Sequence, residues 1–331
     1  MKKKTVMACM VALLLAGCSQ DETSYEKDRI SVGIMLSDNG LGDQSFSDTG
    51  FQGALKARDE LGITFNYKEI AETKTYEQGF EELVTENHDL IIGLGFSVQE
   101  DLEKAAKKHP DKSFVLVDSS SELENIVNLN FKEEEGSYLA GILAGLKTKT
   151  NQVAFIGGFD NELINRFAAG FKSGVKSVNS KATVTIQYAN SFGDDKLGAT
   201  MAKDLIAKDT DVLYAAAGFT GTGVLKQAEK SNILAIGVDT DQYFVAEKAV
   251  ISSVVKRIDV AIYDIVREYQ KNGKLSQKDY LMGLKEEGIG LASVRIVHLT
   301  SEEEQLIEQA KEDIINGKMT IPTTLQEEVS K

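Results

Sequence analysis

The sequence predicts an α/β protein with two lobes, each built around a doubly wound parallel sheet with helices on both faces. Strand-like and helix-like segments alternate along nearly the whole chain, which is the pattern of repeated βα units. Apolar runs such as Ile30–Leu36 are continuous, as expected for parallel strands that are buried on both faces. About 300 residues follow an N-terminal leader, which is more than a single core usually holds, so we expect two lobes.

The first series of units begins at that apolar run. Its helices are predicted from apolar residues at helical spacing, and its strands from short apolar or β-branched segments. The elements in order are strand Ile30–Leu36, helix Phe51–Leu61, strand Thr64–Glu69, helix Tyr76–Glu86, strand Leu90–Gly93, helix Val98–Lys108, strand Phe114–Val117 and a strand at Asn125–Phe131 that we place at the sheet edge.

A second series starts with a helix rich in Ala, Leu and Gly and includes a strand with alternating β-branched residues. Its elements in order are helix Gly136–Leu146, strand Val153–Gly157, helix Leu163–Val178, strand Thr183–Tyr188, helix Gly198–Lys208, strand Val212–Ala215, helix Gly223–Ser231, strand Leu234–Gly237, strand Ile251–Lys256, helix Ala261–Tyr269, strand-like segment Gly290–Val297 and helix Glu302–Ile315.

The N-terminus has the features of an export signal. Three lysines precede an apolar run from Val6 to Ala16 that is too short to span a bilayer, which needs roughly 20 residues. The segment Leu15–Cys18 resembles a bacterial lipobox, which predicts a signal peptide over residues 1–17 and a diacylglyceryl chain on Cys18; an ordinary cleaved secretory peptide is the alternative. The polar segment that follows predicts a flexible stalk over residues 18–29. We therefore expect a protein that is anchored by lipid on the extracytoplasmic face of the cell membrane.

Composition excludes several classes of function. Removing the three lysines of the leader from the 37 basic residues leaves 34 against 51 acidic residues, a net charge of −17. Such an acidic chain is not expected to bind nucleic acid. The other cysteine, Cys9, lies in the leader, so no thiol remains for a disulfide, a zinc site or nucleophilic catalysis. The histidines His88, His109 and His298 are far apart in the sequence and favour neither a metal site nor a catalytic triad.

Candidate ligand-binding residues follow the predicted strands, because ligands of open parallel sheets bind at the carboxyl ends of the strands. Carboxylates, glycine turns and phenylalanines recur at six of these ends, and cationic groups are few. This set of side chains suits a neutral ligand with hydroxyl and N–H donors and argues against a phosphorylated one. The segments are Ser37–Phe46, Gly93–Phe96, Asp118–Ser120, Gly157–Asp160, Ala217–Gly221 and Gly237–Gln242.

Other interpretations of these motifs are weaker. An Asp after a strand is often a helix N-cap or a turn former. The Gly-x-Gly pairs at 93–95 and 221–223 lack the third glycine of a dinucleotide fingerprint. The pair Asp194–Asp195 has no second group placed opposite it for hydrolysis, and it is better interpreted as a loop and a helix cap.

The chain resembles the basic membrane protein (BMP) family of lipoproteins, which includes the purine nucleoside receptor A proteins. The resemblance runs from about Ile30 to Ile315 and rests on several motifs. They are Gly42–Phe46, Phe131–Gly141, Gly157–Gly158, Arg166–Phe171, Ser191–Asp194, Ala216–Gly218, Ile236–Gln242 and Ser253–Arg257. The turn after Phe46 departs from the family, because Ser47 and Asp48 stand where Asn and Gln are usual. We expect Asp48 to lie near the edge of the base.

The resemblance implies a type I periplasmic-binding-protein fold whose lobes are joined by a three-segment hinge. It places lobe 1 at residues 30–131 and 257–288, and lobe 2 at 132–256 and 289–331. It implies that Phe46 and Phe192 sandwich the base of a nucleoside. The remaining implied contacts are Asp118, Asp38 and Asn39 with the polar edge of the base, and Gly218, Asp239 and Lys256 with the ribose hydroxyls.

The resemblance further implies a monomeric substrate-binding protein that captures nucleosides, with purines favoured, and delivers them by hinge closure to an ABC permease. No catalysis, cofactor or metal is expected. Two alternatives remain open at this stage. One is a sensory or regulatory lipoprotein that uses the same cleft for signalling, and the other is an extracytoplasmic nucleoside hydrolase or phosphorylase.

Overall fold

A computed structural model describes residues 29–326 of the chain. The predicted signal peptide, Cys18 and nearly all of the predicted stalk lie outside these residues. The helices are α1 Phe46–Leu61, α2 Ile70–Thr73, α3 Tyr76–Thr85, α4 Gln99–Lys108, α5 Glu133–Lys147, α6 Glu162–Val178, α7 Asp195–Ile206, α8 Gly218–Lys230, α9 Ile258–Asn272 and α10 Ser301–Ile315. The strands are β1 Ser31–Met35, β2 Thr64–Lys68, β3 Leu90–Leu94, β4 Ser113–Val117, β5 Ile126–Phe131, β6 Gln152–Gly157, β7 Thr183–Tyr188, β8 Val212–Ala216, β9 Leu234–Asp239, β10 Val250–Lys256, β11 Asp279–Met282 and β12 Ile289–Leu291.

The strands form two six-stranded sheets. The first has the order β11-β5-β4-β3-β1-β2, and the second has the order β12-β10-β9-β8-β6-β7. The chain passes from one sheet to the other three times: after β5, after β10 and after β11. This arrangement confirms the predicted architecture of two doubly wound lobes, and we call them the first and second lobe after their sheets.

Two details of the sheets differ from the sequence prediction. The strand predicted at the edge, β5, is instead covered by β11, which pairs with it in parallel from Asp279 to Met282. In the second sheet β12 runs antiparallel to β10, so this sheet is not wholly parallel. The strand-like segment predicted to reach Val297 pairs regularly only as far as Leu291. Beyond it, Arg295 N still donates to Ile251 O at 2.8 Å.

Each sheet is sandwiched between helices, as the continuous apolar runs predict. All five residues of β3 are buried, with α1 and α9 packed on one face of the first sheet and α3 and α4 on the other. In the second lobe α5 and α6 cover one face, and α7 and α8 cover the other. Within residues 29–326 no helix combines the length and apolar character that crossing a membrane requires. Residues at the carboxyl ends of strands from both sheets line one cleft between the lobes.

Candidate ligand-binding cleft

A cavity lies between the two lobes and contains about 650 Å³ of space free of protein atoms, its open mouth included. All eight predicted ligand-binding residues line the cavity: Asp38, Asn39, Phe46, Asp118, Phe192, Gly218, Asp239 and Lys256. The family resemblance named these eight residues, and the rule that ligands bind at the carboxyl ends of parallel strands had marked segments that contain all of them except Phe192 and Lys256. The individual contacts stay predictions.

The two lobes present equivalent turns to the cavity. Asp118 follows β4 and Asp239 ends β9, and these strands hold the same place in the order of their sheets. Both aspartates have left-handed backbone conformations, with φ of 62° and 64°. Such conformations are uncommon for residues other than glycine, and they concentrate at functional sites. Each turn aims a buried carboxyl group into the space between the lobes.

Aromatic rings form much of the cavity wall. Phe46, the first residue of α1, comes from the first lobe, and Phe192 comes from the loop after β7 in the second. The ring of Phe192 lies 5.1 Å from that of Phe159 and 6.3 Å from that of Phe96, measured between centroids. Phe96 lines the cavity, whereas Phe159 only contacts Phe192. Sequence reasoning noted both after strand-ending glycines but assigned neither to the site. Phe192 packs so closely on Gly158 that no β-carbon fits there.

Lys256 is the buried cation of the site. Its Nζ lies 2.6 Å from each oxygen of Asp118 and 2.8 Å from Oε1 of Glu133, and the side chain is 1 % exposed. Burial alone would lower its pKa, but the charges of Asp118, Glu133 and Asp239 outweigh that effect and raise it. Lys256 is therefore a charged ammonium that ties the end of β4 to the start of α5.

An aromatic ring and a further ion pair surround this ammonium. Its Nζ lies 4.8 Å from the centroid of the Phe131 ring, within cation–π range. Glu133 is fully buried, and its other oxygen accepts a hydrogen bond from Arg166 Nε at 2.9 Å. Sequence reasoning had assigned neither Glu133 nor Arg166 to the site. Both belong to motifs that carry the family resemblance, but no pattern in the sequence indicated that they join Lys256.

Lys256 and Asp118 are in direct contact. The resemblance assigns Asp118 to the base and Lys256 to the ribose, and these two assignments stay predictions. An ammonium has three hydrogens, and here its acceptors are both oxygens of Asp118 and one of Glu133. Lys256 thus orients Asp118, whose remaining lone pairs can accept from a ligand.

Asp239 connects the lobes beside the cavity. Its carboxylate accepts a hydrogen bond from the Ser45 hydroxyl of the first lobe. Burial raises the pKa of Asp239 to about 6, although Lys256 and Ser45 act to lower it. Asp43, also buried, accepts from the backbone N–H groups of Ser45 at 2.9 Å and Ser47 at 2.8 Å and so fixes the turn that carries Ser45.

Asp38 and Asn39 lie at another part of the cavity wall. Asp38 accepts a hydrogen bond from the Tyr76 hydroxyl, which comes from α3, and burial raises the pKa of that phenol. Asn39 reaches the second lobe, where its Oδ1 would be 2.5 Å from a β-carbon at Gly193. Tyr76 thus orients Asp38, and Gly193 leaves room for the side chain of Asn39.

Asp48 is not in the cavity, contrary to the sequence expectation. Its two oxygens accept from the backbone N–H groups of Gly42 at 2.7 Å and Gln44 at 3.0 Å. The side chain holds the 42–44 turn together and lines a separate groove on the outer surface. The departure from the family at this position therefore changes the turn and not the wall of the cavity.

Comparisons with known proteins identify the family. The family described as ABC transporter substrate-binding protein, PnrA-like, matches residues 30–324. The ABC transporter nucleoside-binding protein BmpA of Lactococcus lactis is 32 % identical over 354 residues, covering 98 % of this chain and all of its own length. The CD4+ T-cell-stimulating antigen of Listeria innocua is 31 % identical over 355 residues, covering 97 % of this chain and 99 % of its own.

A solved structure agrees with this assignment. An ABC transporter solute-binding protein from Aeropyrum pernix has a TM-score of 0.80 and 25 % identity, covering 90 % of this chain and 94 % of its own. The match confirms the predicted periplasmic-binding-protein fold, and the family match confirms the resemblance seen in the sequence. The chain belongs to the Bmp family of PnrA-like substrate-binding proteins of ABC transporters.

Proposed function

We propose that this protein captures nucleosides, with purines favoured, on the extracytoplasmic face of the membrane and delivers them to an ABC permease. The observation that carries the proposal is a single cavity in which aromatic rings and buried carboxylates of both lobes converge. The name of the Lactococcus lactis relative, a nucleoside-binding protein, supports the same ligand class.

The aromatic part of the cavity suits a flat heterocycle. Phe46 and Phe192 enter from opposite lobes, and Phe96 extends the wall beside Phe192. Stacking of a base on an aromatic ring contributes roughly 1–3 kcal/mol. A purine offers a larger face to these rings than a pyrimidine, so we expect purine nucleosides to bind more tightly.

The polar part of the cavity suits neutral donors such as ribose hydroxyls. Asp118 and Asp239 offer carboxylate oxygens, and hydrogen bonds to a charged acceptor are stronger than neutral ones. The buried carboxyl groups Asp43, Asp118, Glu133 and Asp239 outnumber Lys256 and the half-buried Arg166. A phosphate group would therefore meet net negative charge, and nucleotides are expected to be excluded.

Delivery would depend on closure of the lobes over the ligand. The hydrogen bond from Ser45 to Asp239 joins the lobes next to the cavity, and the ligand itself would contact both lobes. A ligand that contacts both lobes favours the closed state by its differential affinity. Cys18, with its predicted lipid, would hold the receptor at the membrane near the permease.

A thermal-shift screen tests the ligand class directly. We expect inosine, guanosine and adenosine to raise the melting temperature of the protein more than cytidine, free bases, ribose or inosine monophosphate, because ligands that bind the native state stabilise it. The variant Asp239→Ala should retain the fold and lose the shift, since it removes a buried acceptor. No shift with any nucleoside would contradict the proposal, and release of free base from inosine would instead indicate an enzyme.

The membrane anchor needs its own test. We expect native protein to sediment with membranes and Cys18→Ala to appear in the soluble fraction or the medium, because a lipid chain supplies the anchor. Membrane association of the Cys18→Ala protein would contradict the lipidation of this residue.

A further inference from the structure

A tyrosine behind the cavity holds one of the carboxylates that line it. The hydroxyl of Tyr76, the first residue of α3, donates a hydrogen bond to Oδ1 of Asp38. Asp38 and Ser97 line the cavity, whereas Tyr76 does not line it and is 7 % exposed. Ser97 Oγ lies 3.4 Å from the same hydroxyl, beyond the usual range of such bonds. Asp38 is therefore the acceptor of the tyrosine proton, and its Oδ2 has no hydrogen-bond partner among the described residues.

Other contacts fix the backbone of the loop that carries Asp38. At one side of the loop, Ser37 Oγ lies 2.7 Å from Ser47 Oγ. At the other side, Leu41 N donates to Oε1 of Glu69 at 2.8 Å. Removal of the tyrosine hydroxyl would therefore release the carboxylate of Asp38 without releasing the loop.

The group of Asp38, Tyr76 and Ser97 lies beside the two rings that are proposed to hold the base. Phe96 precedes Ser97, and its ring centroid is 6.3 Å from that of Phe192. A β-carbon built on Gly95 would lie 3.5 Å from the Phe46 ring and 3.6 Å from the β-carbon of the residue before Asp38. A flat base between the two rings would therefore have this polar group at one of its edges.

The hydrogen-bonding capacity of this edge is one-sided, because a carboxylate only accepts hydrogen bonds. Among the described residues that line the cavity, Lys256 is the only cation, and its ammonium is already bonded to Asp118 and Glu133. A ring N–H opposite Asp38 would satisfy both partners, whereas a ring nitrogen with a lone pair would face a negative charge. Inosine and guanosine carry an N–H at N1, and adenosine carries a lone pair there. Sites built for an N–H reject analogues that lack it.

We propose that Asp38, oriented by Tyr76, makes the cavity select 6-oxopurine nucleosides such as inosine and guanosine over adenosine. The inference rests on the proposed capture of purine nucleosides and narrows its ligand class. Tyr76 is a positioning residue in this scheme. Its hydroxyl determines which atom of side chain 38 faces the base, and it does not contact the ligand itself.

Isothermal titration calorimetry measures this selection. We expect native protein to bind inosine and guanosine at least tenfold more tightly than adenosine. In Asp38→Asn the Tyr76 hydroxyl still donates to the side-chain oxygen, so the amide NH₂ faces the base and adenosine should bind at least as tightly as inosine. Equal affinities of native protein for inosine and adenosine overturn the inference alone. A native protein that binds no nucleoside overturns the proposed function, and the inference with it.

Removal of the tyrosine hydroxyl tests the positioning role. We expect Tyr76→Phe to reduce the preference for inosine over adenosine at least fivefold. Combined with Asp38→Asn, it should abolish any preference for adenosine, because the amide can then turn either way. Tyr188→Phe is the matched control with native preference, since its hydroxyl donates to Asn165 and neither residue lines the cavity. A purely structural role of Tyr76 would weaken both nucleosides equally, and an unchanged ratio of their affinities overturns the positioning role.

Discussion

Lys256 shows how one buried residue organises the whole site. It is surrounded by Asp118, Glu133 and three phenylalanine rings, and its side chain is 1 % exposed. A buried ion pair adds little net stability when it is complete, because both charges lose their hydration. Removing one partner has a large cost, since the remaining charges stay buried without compensation. The Lys256 ammonium is therefore needed for the stability of the fold, because it compensates the buried charges of Asp118 and Glu133.

We predict that Lys256→Met reduces the free energy of unfolding at pH 7 by about 3–5 kcal/mol, because Asp118 and Glu133 lose their common cation. Urea denaturation followed by circular dichroism measures the change. Lowering the pH should reduce this loss of stability, because the carboxylates of Asp118 and Glu133 become protonated. Lys256→Arg keeps the charge and should recover most of the stability, while Lys104→Met at an exposed position is the control. A loss below about 1 kcal/mol would show that the ion pairs contribute little.

The residues of the site were predictable to different degrees. Phe46 and Asp239 follow strands, so the carboxyl-end rule and the family motifs together locate them, whereas the family motifs alone locate Phe192. Tyr76 and Arg166 belong to helices that pack against the site from behind. Their roles depend on how these helices rotate and pack against the site, which the local sequence pattern of a single chain does not reveal.

At the scale of elements, helix α5 is notable because its first turn is acidic and buried. Glu133, Glu134 and Glu135 all lie inside the protein, where carboxylates are rare unless paired. Glu133 is paired with Lys256 and Arg166, and Glu135 accepts from Leu284 N at 2.7 Å. Glu134 differs, because its Oε2 has no hydrogen-bond partner among the described residues.

Burial raises the pKa of Glu134 from 4.5 to about 7, with Glu133 and Glu135 acting in the same direction and Arg166 against it. The folded protein thus keeps this proton to higher pH than the unfolded chain does. Stability must then fall as pH rises from about 4.5 to 7, by on the order of 3 kcal/mol for this group.

We predict that Glu134→Gln removes this decline, since an amide does not titrate. Its free energy of unfolding, relative to native protein, should rise between pH 5 and pH 8 by on the order of 2–3 kcal/mol. Urea denaturation at both pH values measures it. Asp239 shifts in the same direction, so only the difference between variant and native protein isolates Glu134. Glu162→Gln, at a side chain that is 89 % exposed, is the control. Parallel pH profiles for native protein and Glu134→Gln would contradict the prediction.

The elements that the sequence missed are short. Strand β11 and helix α2 have four residues each, too few for an alternating, continuous or helical apolar pattern to appear. Strand β11 also follows a crossing between the lobes, so its pairing is decided by tertiary structure. The long helices and buried strands carry several turns or a full apolar run, and their positions agree with the prediction to within a few residues.

At the scale of the molecule, residues of the two lobes contact each other directly. The side-chain amide of Gln242 in the second lobe donates to the main-chain carbonyl of Gln44 in the first lobe at 3.1 Å. The other end of the same amide accepts from Val238 N at 3.0 Å, which fixes its orientation within its own lobe. Gln242 does not line the ligand cavity, so it acts on affinity indirectly, through closure or through its contact with Val238, which does line it.

We predict that Gln242→Glu at pH 8 raises the dissociation rate of the bound nucleoside tenfold or more and leaves the association rate nearly unchanged. The carboxylate keeps the acceptor for Val238 but places an oxygen against the Gln44 carbonyl, which disfavours the closed state. Leaving a buried polar group without its partner costs about 1–3 kcal/mol, or roughly one to two powers of ten in the rate. Surface plasmon resonance with immobilised protein and inosine measures both rates.

Gln44→Asn is the matched control for the hydrogen bond between Gln242 and Gln44, because the acceptor is the main-chain carbonyl and not the Gln44 side chain. Asparagine also tolerates the left-handed conformation at this position, where φ is 52°. We expect it to bind inosine with native rates, and we expect the unliganded Gln242→Glu protein to melt near the native temperature. Equal dissociation rates for Gln242→Glu and native protein would show that the hydrogen bond between Gln242 and Gln44 does not hold the lobes together. A large loss of melting temperature without ligand would instead make Gln242 a residue of its own lobe's fold.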